Sequence, residues 1–134
     1  MSACPCSSGK MFNACCGRYL FGNIQDAERI PAAKTPDQLM RSRFTAYALG
    51  DHGDYLLATW WPENAKHLTS ESLSKKSCEW LRLDILDKGQ KGNDAWVNFC
   101  AWFLDESGKE CAMRERSTFK REQGRWFYVT GELS

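Results

Sequence analysis

No stretch of the 134-residue sequence stays apolar for the length a bilayer crossing needs, and no apolar run follows the opening Met1-Ser2-Ala3-Cys4. These absences argue against a helical membrane span and a secretory leader, so a cytoplasmic address is expected. Charge of one sign is lacking as well: 18 Lys and Arg against 17 Asp and Glu leave a formal net charge of +1. So even a balance argues against an extended nucleic-acid surface or an anionic-membrane partner, and partners must be chosen locally. Histidine is scarce, and neither His52 nor His67 has a nucleophile or acid nearby in a recognisable catalytic spacing. The length excludes two large domains and fits one body with a small appendage.

Cysteine is abundant instead, and it is crowded to one end. Four of the seven lie in Cys4-Pro5-Cys6-Ser7-Ser8-Gly9-Lys10-Met11-Phe12-Asn13-Ala14-Cys15-Cys16-Gly17. A segment so short cannot bury enough apolar surface to hold itself folded, so a coordinate bond must offset its chain entropy. Four thiolates complete a tetrahedral Zn²⁺ shell, and a closed all-sulfur shell is structural because it leaves no open position for substrate. Cys4, Cys6, Cys15 and Cys16 are therefore the expected zinc ligands. Disulfide-paired or unligated thiols and an iron-sulfur cluster are the alternatives, although this spacing is not among the usual cluster patterns. Pro5 sets the first pair, and the Ser7-Ser8-Gly9 turn can aim amides at sulfur. Cys78, Cys100 and Cys111 are left over, an odd count that suits reduced core thiols better than a secreted disulfide framework.

The run resembles the SEC-C zinc motif, known from the C-terminus of the bacterial protein-translocation motor. Cys4, Pro5, Cys6, Ser8, Gly9, Lys10, Cys15, Cys16 and Gly17 carry the likeness. Ser7 stands where that motif usually has glycine, so a positive φ there would be strained. Met11-Phe12-Asn13-Ala14 replaces a stretch that is commonly lysine-rich, removing much of a phosphate-binding surface.

Beyond this knuckle (residues 1–20), a linker over 21–34 offers Tyr19, Leu20, Phe21 and Ile24 around its start, apolar anchors expected to pack against the body or a partner. The body, 35–134, begins with the clearest helix: Thr35 and Pro36 at its start, then Leu39, Met40, Phe44, Tyr47 and Ala48 at three-four spacing up to Gly50. Arg43 lies within that stripe, either buried with a partner or snorkelling to water. A second helix is expected over Asp51–Thr59, before Trp60-Trp61-Pro62, whose two indoles should point to different sides. After a short helix around Ser70–Lys76 the period becomes two, predicting strands Trp80–Asp87, Ala95–Asp105, Glu110–Arg121 and Arg125–Gly131 joined as antiparallel hairpins. The fold class is α+β, helices on the concave side of one curved sheet enclosing a pocket. Glu115 and Ser117 share a strand face with Cys111, Met113 and Phe119, so Glu115 is expected to pair with Arg43, Ser117 bonding nearby.

The body also resembles the YchJ-like family of bacterial proteins, through Leu39-Met40-Arg41-Ser42-Arg43-Phe44-Thr45-Ala46-Tyr47, Asp54-Tyr55-Leu56-Leu57-Ala58-Thr59-Trp60 with Pro62, Glu115-Arg116-Ser117-Thr118-Phe119 and Gly124-Arg125-Trp126-Phe127-Tyr128-Val129-Thr130-Gly131. That resemblance implies a cone similar to nuclear transport factor 2. Members commonly have histidine where Trp61 stands, and many carry a second SEC-C knuckle, whereas this sequence ends at Glu132-Leu133-Ser134. The function expected is a zinc-stabilised, non-catalytic adaptor whose Lys10, Met11 and Phe12 meet a protein partner, with the translation or secretion machinery as a candidate. The alternative is an isomerase- or dehydratase-like cone holding a small ligand near Arg43, Tyr55, Trp60, Trp61, Glu115 and Ser117.

Overall fold

The computed structural model describes residues 3–20, 33–75 and 78–133. Its centre is helix α2 (Pro36–Leu49). The Thr35 hydroxyl accepts the Gln38 N–H at 3.3 Å, and Pro36 fills the first position, where no N–H is needed. Gly50 closes the other end, its N–H on the Ala46 carbonyl at 3.1 Å. Pro36, Leu39, Met40, Ser42, Arg43, Phe44, Thr45 and Ala46 are all buried. That set covers more than one face, so α2 is enclosed by neighbours on several sides rather than lying on a surface.

One neighbour is the knuckle, which ends in the single turn α1 (Gly17–Leu20). Another is the pair α3 (Gly53–Ala58) and α4 (Ser70–Leu73), which pack on each other. The third is a four-stranded antiparallel meander in the order β1 (Glu79–Lys91), β2 (Asp94–Leu104), β3 (Glu110–Glu122) and β4 (Arg125–Leu133). Helix α2 meets β1, β2 and β4. The expected α+β architecture is thus present, with longer outer strands than the sequence suggests. Residues Lys88 to Lys91 pair with Val97 to Asp94 instead of forming a loop, because a tight turn needs only Gly92-Asn93, with Gly92 at φ 62.

Alternation sorts the sheet between irregularities at Leu81 and Leu86 on β1 and Val129 on β4. On its inner face Val97 lies opposite Ser117, Phe99 opposite Glu115 and Ala101 opposite Met113. Leu83, Val97, Phe99 and Phe119 join Leu39, Phe44 and Leu56 in one core. On the outer face the Arg116 guanidinium covers Trp96 at 4.7 Å and Arg82 covers Trp102 at 4.4 Å, long stems shielding apolar rings. The edge of β4 is capped by the Thr59–Trp61 segment: Tyr128 donates to the Thr59 carbonyl at 2.8 Å, and Trp61 to the Tyr128 carbonyl at 2.7 Å. Trp60 stacks edge-on to Tyr128 while Trp61 does so to Phe127, the next residue along β4. The two indoles therefore take opposite faces.

Cys4, Cys6, Cys15, Cys16, Tyr19 and Leu20 belong to the same core cluster as the body residues. Tyr19 and Leu20 are buried as the linker reading requires, while Phe21 and Ile24 lie outside the described residues. No described helix is long and apolar enough to cross a membrane.

Candidate metal centre and interior cluster

The knuckle is a hairpin closed by Cys4 N–H on the Lys10 carbonyl at 2.9 Å and by a bridge between Ala3 and Met11. A 3-10 turn over Phe12–Ala14 then returns the chain to Cys15 and Cys16. Ser7 sits at φ 66, the left-handed conformation that the missing glycine would have adopted freely. Its hydroxyl accepts the Leu83 N–H of β1 at 3.2 Å, a contact glycine could not make.

The turns bring the four sulfurs within 4.8 Å of one another, all four cysteines buried. Cys6 and Cys15 Sγ are 3.6 Å apart, Cys15 and Cys16 Sγ 3.9 Å. Thiolates bound at about 2.3 Å around a tetrahedral ion stand about 3.8 Å from each other, whereas a disulfide needs about 2.05 Å. The spacing fits a metal shell, and no disulfide joins any of the cysteines.

The thiols are not equivalent. A hydrogen bond from the Cys16 thiol holds Cys6 well below the usual thiol range against the opposing effect of burial, with Ser8 contributing. The same bond and burial push Cys16 far up, and burial raises Cys4. A tetrathiolate shell around a divalent ion carries excess negative charge, and cations stand close by. Lys10, Arg18 and Arg41 border a cleft of about 220 Å³ that has Cys15 and Cys16 in its wall. Arg18 donates to the Cys15 carbonyl at 3.0 Å and Arg41 to the Cys6 carbonyl at 2.7 Å.

Of the three expected contact residues, Lys10 and Met11 face solvent, Met11 with 47% of its surface exposed. Phe12 is half-buried and packed against the core, its ring over Gly17. It supports the tip from beneath, because an exposed phenyl at the base of so small a loop would leave Gly17 uncovered.

Inside the body, Arg43 is only 2% exposed. Its Nη1 donates to the Leu56 carbonyl and to Thr59 Oγ1, both at 2.7 Å. The guanidinium lies 4.8 Å from the Trp60 ring centre and 4.6 Å from that of Tyr128. The expected ion pair with Glu115 is not formed: among the described residues the pairs within 4.0 Å are Arg82–Glu110 and Lys88–Asp37. The helix-end carbonyl, the threonine and the two rings satisfy Arg43 locally, so it need not reach across. Glu115 instead accepts from the Ser117 hydroxyl at 2.8 Å and sits against Gly131, where a Cβ would come within 2.5 Å of the carboxyl carbon. Burial pushes Tyr128 up to about 12, with Glu115 adding to the rise and Arg43 opposing it. Burial likewise raises Tyr47, on which Arg43 and Glu115 act in opposite directions. Tyr55 is buried against α2, its hydroxyl 2.6 Å from Ser42 Oγ. The structure therefore brings Arg43, Trp60, Glu115 and Ser117 to one interior region, puts Trp61 on the other side of β4 and uses Tyr55 for packing.

Tyr47, Thr59 and Tyr128, absent from the expected set, complete that region. Only the register of β4 against Thr59–Trp61 could have revealed Tyr128. Thr45 was missed at the metal centre, 3.8 Å from Cys4 Sγ.

Known proteins agree with this geometry. Residues 35–131 match the family described as YchJ, middle NTF2-like domain. A UPF0225 protein of Chromobacterium violaceum is 41% identical over 136 residues, covering 97% of this chain and 92% of its own. One from Pectobacterium carotovorum is 39% identical over 135 residues, covering 96% and 82%. The solution structure of a SEC-C motif containing protein from Rhodopseudomonas palustris superposes with a TM-score of 0.84 at 34% identity, covering 98% of both chains. A crystal structure of a sec-c motif containing protein from Psychrobacter arcticus shares the fold, with a TM-score of 0.80 at 24% identity over 98% of this chain and 82% of that one. With a SEC-C-like cysteine cluster joined to a matching NTF2-like body, the chain belongs to the YchJ-like UPF0225 family.

Proposed function

We propose that this protein is a zinc-stabilised, non-catalytic adaptor, its knuckle presenting Lys10 and Met11 to a protein partner in the cytoplasm. The supporting observation is the placing of Met11. A flexible, polarisable side chain with 47% of its surface exposed is fixed to a loop that four buried cysteines and the Ala3–Met11 bridge hold rigid. Methionine adapts its shape to a partner, and a rigid base spares the loop-ordering cost of binding. Zinc is the ion that an all-thiolate tetrahedral shell suits, and reduced thiols suit a reducing compartment. The SEC-C motif's place in the translocation motor makes the secretion or translation machinery the first candidate partner.

Affinity capture from lysate tests this with wild type, Met11→Ser and Lys10→Glu, each metal-loaded. A partner retained by wild type and lost by both variants supports the proposal, and capture indifferent to both defeats it. A second reading, a small ligand in the cone, rests on Arg43: a buried guanidinium with no carboxylate of the described residues within 4.0 Å could serve an anionic ligand. Ligand-dependent stabilisation that survives Met11→Ser and vanishes in Arg43→Met would favour that reading.

A further inference from the structure

One side of α2 faces the knuckle. Gln38, Arg41 and Thr45 recur at three- and four-residue spacing, one row along the helix. All three touch the knuckle. Gln38 Oε1 accepts from the Tyr19 hydroxyl at 3.5 Å, Arg41 donates to the Cys6 carbonyl at 2.7 Å, and Thr45 Oγ1 lies 3.8 Å from Cys4 Sγ. Thr45 is fully buried.

We propose that Thr45, a residue of the body, is an outer-sphere determinant of the metal centre, its hydroxyl donating to the ligand sulfur of Cys4. The inference rests on the zinc reading above. In the metal-free protein either the thiol or the hydroxyl can supply the proton of this contact. Once the sulfur is a metal-bound thiolate it can only accept, so the threonine must donate. A donor aimed at a thiolate stabilises its charge, and outer-sphere partners of this type typically carry about 10- to 100-fold in metal affinity. The site is then built by both parts of the chain: the knuckle supplies the sulfurs and α2 supplies a hydrogen bond to one of them, Cys4.

The test is Zn²⁺ affinity by competition with a chromophoric chelator, on the full chain, for wild type, Thr45→Val and Thr45→Ser. Valine keeps the volume and removes the hydroxyl, while serine keeps the hydroxyl and removes a methyl. The expected result is a loss of about 10-fold or more for Thr45→Val, with Thr45→Ser within about threefold of wild type. The thiolate-to-metal charge-transfer band of the Co²⁺-loaded protein should shift in Thr45→Val alone, a signature that a packing role would not produce. Valine binding as tightly as wild type, or serine losing affinity as much as valine, overturns the proposal. Should Thr45→Val fail to fold, retention by Thr45→Ser supports it and loss by Thr45→Ser overturns it. Failure of the wild type to bind Zn²⁺ at all would instead remove the zinc reading itself.

Discussion

Replacing Arg43 separates a structural cation from a functional one. Two charge-assisted hydrogen bonds are worth about 1.5–3 kcal/mol each, and a desolvated cation between two rings gains about 2 kcal/mol. Against these stands a desolvation cost of several kcal/mol for the buried guanidinium, which no carboxylate among the described residues relieves from within 4.0 Å. The two sides nearly cancel, so the charge itself contributes little and the volume of the side chain contributes most. Arg43→Met keeps the unbranched stem between Trp60 and Tyr128, and Leu56 keeps its carbonyl partner in Thr59 Oγ1 at 3.3 Å. It should cost about 1 kcal/mol or less. Arg43→Ala leaves a gap between two rings and should cost about 3–4 kcal/mol. For a chain of this size the difference corresponds to about 10 °C in Tm. Thermal unfolding followed by circular dichroism, with zinc at a fixed free concentration, measures both variants. A methionine variant as unstable as the alanine one would refute the reasoning, because it would mean that the positive charge is held by an anion, either Glu115 or a ligand.

Native alkylation should modify the half-buried Cys78 and Cys111 before the knuckle thiols, and chelation should make Cys4, Cys6, Cys15 and Cys16 reactive; elemental analysis should find one metal per chain. Ser7→Ala keeps the strained φ of 66 and loses the acceptor for Leu83 N–H, so urea unfolding should show a loss of about 1–2 kcal/mol. Ser7→Gly also loses that acceptor but relieves the strain, and should lie within about 1 kcal/mol of wild type. Burial pushes the Asp37 carboxyl up, but the Thr35 hydroxyl and Lys88 outweigh it and leave the group below its ordinary 3.8. A depressed acid stabilises the fold above its unfolded value and loses that contribution as pH falls through the folded value. Asp37→Asn should therefore be less stable than wild type at pH 7, and the gap should narrow as pH falls through and below 3.8 in paired urea titrations.

What was legible in the sequence is what depends on local chemistry. The sulfur spacing, the Thr35-Pro36 start of α2 and the alternation of Val97, Phe99 and Ala101 each follow from neighbours in the chain, and each appears where the pattern put it. What depends on two distant segments meeting was not legible. The polar row Gln38, Arg41, Thr45 reads as a solvent face by periodicity alone, yet the knuckle lies on it. Arg43 and Glu115 were matched by charge, but Arg43 Nη1 turns to the Leu56 carbonyl and Thr59 at the C-terminal end of α3, one helical connection away. Phe12 was expected to meet a partner beside Lys10 and Met11, but its ring lies against Gly17, a contact that only the return of the chain after Ala14 creates.

Because the sulfurs share one core with Leu39, Phe44 and Tyr55, metal and body cannot be treated as separate modules. A ligand that binds only the folded state stabilises it by RT ln(1 + [L]/Kd), about 4 kcal/mol at a thousandfold excess over Kd. Through the bond of Ser7 to Leu83 of β1 and that of Arg41 of α2 to Cys6, that stabilisation reaches the sheet and the central helix together. Chelation should then lower the cooperative melting temperature of the whole chain in a single transition, not release a floppy tip from an unchanged body. Calorimetry with and without chelator distinguishes these outcomes. Two separate transitions, with the body's midpoint unmoved by metal removal, would mean that the contacts between knuckle and α2 carry no coupling.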